Sequence, residues 1–158
     1  MEIRKATPGD LEGIRAVYAA AKAFMDAHGN ASQWEPGYPD SVIPGDIANG
    51  NCYVETENGV IHGVFVCILG EDLTYRVITD GAWRNDDPTI HRLGSDGALP
   101  GFTGRCFDFC KGLCPDLRAD THEHNTVMQH LLEKNGFLRC GTIITTNGTP
   151  RIAYHFVG

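Results

Sequence analysis

The sequence predicts an α/β (α+β) fold: a mixed, mostly antiparallel central sheet with a parallel strand pair in its middle and helices on both faces. Three observations predict it. Two pairs of β-rich segments flank Asn58-Gly59 and Asn147-Gly148, the dipeptide favoured in two-residue hairpin loops, so each pair makes an antiparallel ladder. Between the hairpins the chain reads strand, helix, strand, and a crossover helix joining two strands of one sheet makes them parallel. Finally, Leu11, Ile14, Val17, Tyr18, Ala21, Phe24 and Met25 recur at helical spacing, which marks a helix with one buried face.

The elements follow in order. Glu2–Ala6 is a first strand. Thr7-Pro8-Gly9-Asp10 opens the first helix with a hydroxyl cap, a proline in the first turn and an acid three residues on. The aromatic, proline-rich SQWEPGYP (Ser32–Pro39) is a rigid loop, and a short helix covers Asp40–Ala48. Strands occupy Asn51–Thr56 and Val60–Leu69, then Thr89–Ser95. A helix over Phe102–Leu113 buries Phe102, Cys106, Phe109, Cys110 and Leu113. Strand Leu117–Thr121 leads to a helix over Asn125–Lys134, capped by Asn125, burying Val127, Met128, Leu131 and Leu132, and ended by Gly136 in a left-handed cap. Strands Leu138–Thr145 and Arg151–Phe156 close the chain. With no repeat, low-complexity tract or boundary, residues 1–158 read as one domain.

Composition narrows the function. At 158 residues and 42% apolar content the chain buries a real core, and no run approaches the length of about eighteen apolar residues that a membrane span needs. MEIRKATPGD lacks the apolar stretch of a signal peptide, so the expected home is the cytoplasm, where the six cysteines stay reduced. A net charge of −7 argues against nonspecific nucleic-acid binding, which rests on basic contacts to phosphate.

Three stretches hold chemistry. Cys106, Cys110 and Cys114 are spaced four apart on one helix, a poor match to tetrahedral zinc spacing, and read as buried structural cysteines. The first turn of that helix, Gly101-Phe102-Thr103-Gly104-Arg105, carries no acid and one base, against the usual preference at a helix N-terminus. Either it is a plain glycine-rich loop, or its N–H groups and Arg105 await an external anion. Asp120-Thr121-His122-Glu123-His124-Asn125 is a strand-to-helix turn on one reading and a metal site on the other, with no third ligand placed by spacing.

Taken together, D-T-H-x-x-N at Asp120–Asn125 followed by E-K-x-G-F at Glu133–Phe137 resembles the fourth-helix region of the GNAT acyl-CoA N-acyltransferase family. The order of elements over nearly the whole chain is similar too. IHRLGSDG (Ile90–Gly97), SQWEPGYP and ITDGAW (Ile78–Trp83) look like a little-characterised bacterial branch of these acetyltransferases. The resemblance implies acetyl-CoA as donor and a small-molecule amine or amino acid as acceptor, joined in a ternary complex without a covalent enzyme intermediate. It implies that Leu93, Gly94 and Ser95 pair with the pantetheine arm, that Gly101, Phe102, Thr103, Gly104 and Arg105 form the pyrophosphate loop, and that Asn125 faces the coenzyme. Two departures stand out. The family's Q/R-x-x-G-x-G/A loop is incomplete in either register, and Leu132 occupies the position where a tyrosine often serves as general acid.

For the acceptor's proton, His91 is the candidate base, because it lies on the Thr89–Ser95 strand and titrates near neutrality; packing or hydrogen bonding is its alternative role. Backbone N–H groups around Leu93 are the natural oxyanion donors. Trp34, Tyr38, Tyr75 and Trp83 are expected to wall an acceptor pocket, or else to be core. The partners expected are a small amine and at most a second copy of the chain, with no nucleic acid, membrane or metal. A protein of this fold that binds an acyl-CoA without turning it over is the alternative function.

Overall fold

In chain order the computed structural model consists of strand β1 (Glu2–Lys5), a 3-10 turn (Pro8–Asp10) running into helix α1 (Leu11–Ala27), a second 3-10 turn (Asp40–Val42) running into α2 (Ile43–Ala48), β2 (Cys52–Glu57), β3 (Val60–Ile68), β4 (Ile78–Thr79), β5 (Thr89–Ser95), α3 (Phe102–Leu113), β6 (Leu117–Thr121), α4 (Thr126–Lys134), β7 (Leu138–Ile144) and β8 (Pro150–Phe156). It describes residues 1–29, 34, 36–69, 75–83, 88–145 and 148–157. Asn147 of the second predicted turn, and parts of the loops around Trp34 and after Ile68, lie outside them.

The strands form one eight-stranded sheet in the order β1-β2-β3-β5-β6-β8-β7-β4. Every neighbouring pair is antiparallel except β5 and β6, as a crossover through α3 requires. Only β4 was not foreseen. Its two residues pair Ile78 with Ile143 and Thr79 with Thr142 at the sheet edge, too short a segment to carry a period-2 pattern.

Side-chain alternation divides the core. Cys52, Val54 and Val64 point to one face and pack with Ile14, Val17 and Tyr18 of α1 and Ile43 of α2. Tyr53 and Phe65, one position over, point to the other face and meet Phe102, Cys106 and Cys110 of α3, Leu132 of α4 and Phe137. The buried cysteines are core residues, and burial pushes the Cys52 thiol up to about 12, so it stays protonated and unreactive.

Three details of the predicted stripes change. Phe107 is fully buried on α3 whereas Leu113 is exposed. On α4 only Leu132 is fully buried; Met128 packs at the edge of the core, and Val127, Met128 and Leu131 line a cavity. The cap is as expected: the Asn125 side-chain oxygen accepts the Met128 N–H at 3.0 Å, and Gly136 takes φ +90° before Phe137 re-enters the core.

Candidate active site

The parallel ladder is short. β5 and β6 pair only at Thr89–Arg118 and Ile90–Ala119. Beyond that point β5 bulges: His91 pairs with Val66 and Gly94 with Val64, so two residues of β5 face one of β3. Arg92, inside the bulge, adopts φ +47°. Such a conformation is costly for a side chain with a Cβ, and the surroundings hold it in place. The Tyr18 hydroxyl donates to the Arg92 carbonyl at 2.9 Å, while the Arg92 guanidinium donates to both Asp46 oxygens at 2.8 and 2.6 Å and to the Tyr38 hydroxyl at 3.3 Å. A bulge tied to α1 and α2 turns the rest of β5 away from β6.

Beside the end of β5 lies a cavity of about 350 Å³. Leu93, Gly94 and Ser95 of β5 line it, together with Ala21, Phe24 and Met25 of α1 and Asn125, Met128 and Leu131 at α4. Because α1 and α4 lie on opposite faces of the sheet, a cavity touching both runs past the end of β5 from one face to the other. Gly94 lets α1 come close: a Cβ there would sit 3.1 Å from that of Ala21 and 3.3 Å from the Tyr18 ring. The walls are mainly apolar, suited to a slender, uncharged chain.

At the head of α3, Gly101 is left-handed at φ +84° and Thr103 reaches the cavity wall. The Phe102 ring is buried in the core over Gly63, so its side chain belongs to packing. Gly104 lies nearest Asn135. Arg105 departs from expectation. Its Nε and Nη2 donate to the two oxygens of fully buried Glu55 at 2.8 and 2.9 Å, and its Nη1 and Nη2 donate to the Pro100 and Leu99 carbonyls at 2.7 and 3.1 Å. Arg105 is thus paired with a carboxylate from β2 and braces the loop rather than offering a free charge.

A second cluster lies over β6, on the face that α1 and α2 cover elsewhere. Tyr75 is buried, and its hydroxyl donates to Asp120 Oδ1 at 2.6 Å. His91 Nδ1 stands 3.7 Å from the same oxygen. Trp83 stacks on Tyr75 with ring centroids 4.7 Å apart and donates its Nε1–H to the Tyr75 carbonyl at 2.9 Å. The Arg118 guanidinium sits about 5 Å from both rings. The four predicted wall aromatics therefore fall into two groups. Tyr75 and Trp83 stack beside His91, whereas Trp34 packs edge-on against Tyr18 near Gly94, with Tyr38 6.4 Å beyond it.

Sequence reasoning missed Asp120, which it read as part of a turn. The available signal was alternation: Leu117, Ala119 and Thr121 face the α3 side, which leaves Arg118 and Asp120 pointing together toward His91. His122 does belong to the turn. It is buried, its Nδ1 accepts the His124 N–H at 3.0 Å, and burial followed by nearby Arg151 lowers its proton affinity. Among the described residues no group of three or more histidine, cysteine or acidic side chains is placed to hold a metal. Leu132, at the position the resemblance assigns to a tyrosine, is 1% exposed in the core; its neighbour Leu131 reaches the cavity.

This architecture matches solved structures over nearly its full length. A GNAT-family acetyltransferase from Streptococcus agalactiae is 33% identical, with a TM-score of 0.85 over 99% of this chain and 95% of that one. A GNAT-family acetyltransferase from Listeria monocytogenes matches at 18% identity and TM-score 0.72, covering 98% of this chain and 92% of the other. The GNAT-like decarboxylase GphF, in complex with isobutyryl-CoA, matches at 13% identity and TM-score 0.67 over 99% of both chains, a likeness of fold alone. No protein-family model and no curated protein matches the sequence.

Proposed function

This chain belongs to the GNAT family and is an acyltransferase, and from that premise we propose that it moves an acetyl group from acetyl-CoA to the primary amine of a small molecule or amino acid by direct attack in a ternary complex. One observation carries the reading: the cavity beside the end of β5 is bounded by the strand residues Leu93, Gly94 and Ser95 that the family resemblance pairs with pantetheine. Its mainly apolar space suits that arm.

In this mechanism the acceptor nitrogen attacks the thioester carbon. A C–N bond forms, the C–S bond breaks, and the Leu93 backbone N–H faces the developing oxyanion. His91 takes the proton lost by the amine. The departing thiolate takes a proton from water, since Leu132 is apolar and buried. Holding donor and acceptor in line supplies much of the acceleration. The loop from Gly101 to Gly104 offers backbone N–H groups to the pyrophosphate, with Arg105 fixing its shape through Leu99 and Pro100. Asn125 borders the same cavity. Trp34 and Tyr38 on one side, and Tyr75 and Trp83 on the other, frame the approach of the acceptor.

The proposal takes residues 1–158 as one domain acting in the cytoplasm. The charge of −7 supports a small cationic acceptor over nucleic acid. Calorimetric titration with acetyl-CoA, followed by thiol release across a panel of amines, tests it. Saturable heat with amine-dependent thiol release is expected; no heat at high micromolar acetyl-CoA overturns it.

A further inference from the structure

We infer that Tyr75 and Asp120 are positioning residues for His91, the tyrosine hydroxyl fixing the Asp120 carboxylate and the carboxylate orienting the imidazole and supporting its protonated form. The inference rests on the assignment of His91 as base. His91 and Asp120 follow Ile90 and Ala119, the last pair of the parallel ladder, so they stand side by side where the pairing of the two strands ends. The same oxygen, Oδ1, accepts the Tyr75 hydroxyl at 2.6 Å and faces His91 Nδ1 at 3.7 Å. A carboxylate oxygen has lone pairs for both.

The arrangement is built rather than incidental. Tyr75 is 2% exposed, stacked on Trp83 and held through its own carbonyl by the indole N–H, so its hydroxyl has a fixed aim. The Asp120 and His91 side chains are only 13% and 17% exposed, which limits screening between them. A proton on Nδ1 directed at the carboxylate leaves Nε2 as the basic nitrogen of the neutral ring. Arg118, two residues before Asp120 on β6, faces the same way and lies over the Tyr75 ring.

The test is nuclear magnetic resonance titration of the His91 imidazole in the full chain, alongside steady-state kinetics, for Asp120→Asn and Tyr75→Phe. Asp120→Asn is expected to lower the His91 midpoint by about one unit. It should also lower kcat by about tenfold or more with the KM for acetyl-CoA unchanged. Tyr75→Phe, which keeps the stacked ring, should lower kcat several-fold and leave that KM alone. Should Asp120→Asn fail to fold, Tyr75→Phe decides, and wild-type kcat in it overturns the proposal. An unmoved His91 midpoint in folded Asp120→Asn also overturns it. A midpoint that moves while His91→Gln keeps full turnover supports the coupling and removes His91 as base, so the two failures are told apart. The titration needs no turnover and decides even if no acceptor is found.

Discussion

The Arg105 guanidinium on α3 closes on the Glu55 carboxylate of β2 through two hydrogen bonds, and Glu55 has no exposure to solvent. Removing one member of such a pair strands a charge in the interior, which costs far more than the pair contributes. Arg105→Met is therefore expected to destabilise the protein by roughly 3 kcal/mol in urea denaturation. Adding Glu55→Gln removes the stranded charge and should recover part of that loss, a coupling read directly from a double-mutant cycle.

Asp10 makes the acid limb of stability predictable. The Arg4 guanidinium, bonded to it at 2.8 and 3.0 Å, holds its carboxyl down at about 2, against burial and with help from the Thr7 N–H. The unfolded chain binds that proton near 3.8. Between the two values the unfolded state carries more protons, so acid favours unfolding. The contribution is complete above about pH 5 and fades as pH falls through 2. After allowance for the partly exposed Arg4 it amounts to about 1–2 kcal/mol. In urea melts taken from pH 5 to 2.5, Asp10→Asn should be less stable than wild type at pH 5 and converge on it at the acid end.

Gly63 and Phe102 make a contact that admits no side chain. A Cβ on Gly63 would stand 2.3 Å from the Phe102 ring, which sits at the first residue of α3. Gly63→Ala should cost about 1–3 kcal/mol and push the start of α3 outward. If that start holds the pyrophosphate, acetyl-CoA affinity should fall by more than stability alone explains. Pairing the change with Phe102→Leu should restore part of both, measured by thermal melts and calorimetry.

These relationships show where the sequence was informative. Local features were legible: the Asn58-Gly59 hairpin, the Asn125 cap and the stop at Gly136 each depend on residues within a few positions of one another. The partner of Arg105 was not legible, because Glu55 lies fifty residues earlier and only the sheet brings it close. The base in that acid-free helix start looked available to a ligand; the fold pairs it with a carboxylate from β2. Likewise the apolar residues of α4 signalled burial, and their periodicity cannot distinguish a core from the wall of a cavity. Asp120 was hidden by its polar neighbours, since a residue that ends a strand and begins a turn carries both patterns.

Asn125 sits at two jobs at once, and the two can be separated. Its side-chain oxygen caps α4 through the Met128 N–H, and the residue borders the cavity. Asn125→Ala loses the cap and should cost about 1 kcal/mol. Asn125→Asp caps as well as asparagine and should return stability to near wild type. It replaces the amide N–H donors with a second acceptor and places a negative charge beside a ligand that is itself an anion. Acetyl-CoA affinity should consequently stay reduced in Asn125→Asp although thermal stability recovers. Recovery of both would assign the residue to capping alone.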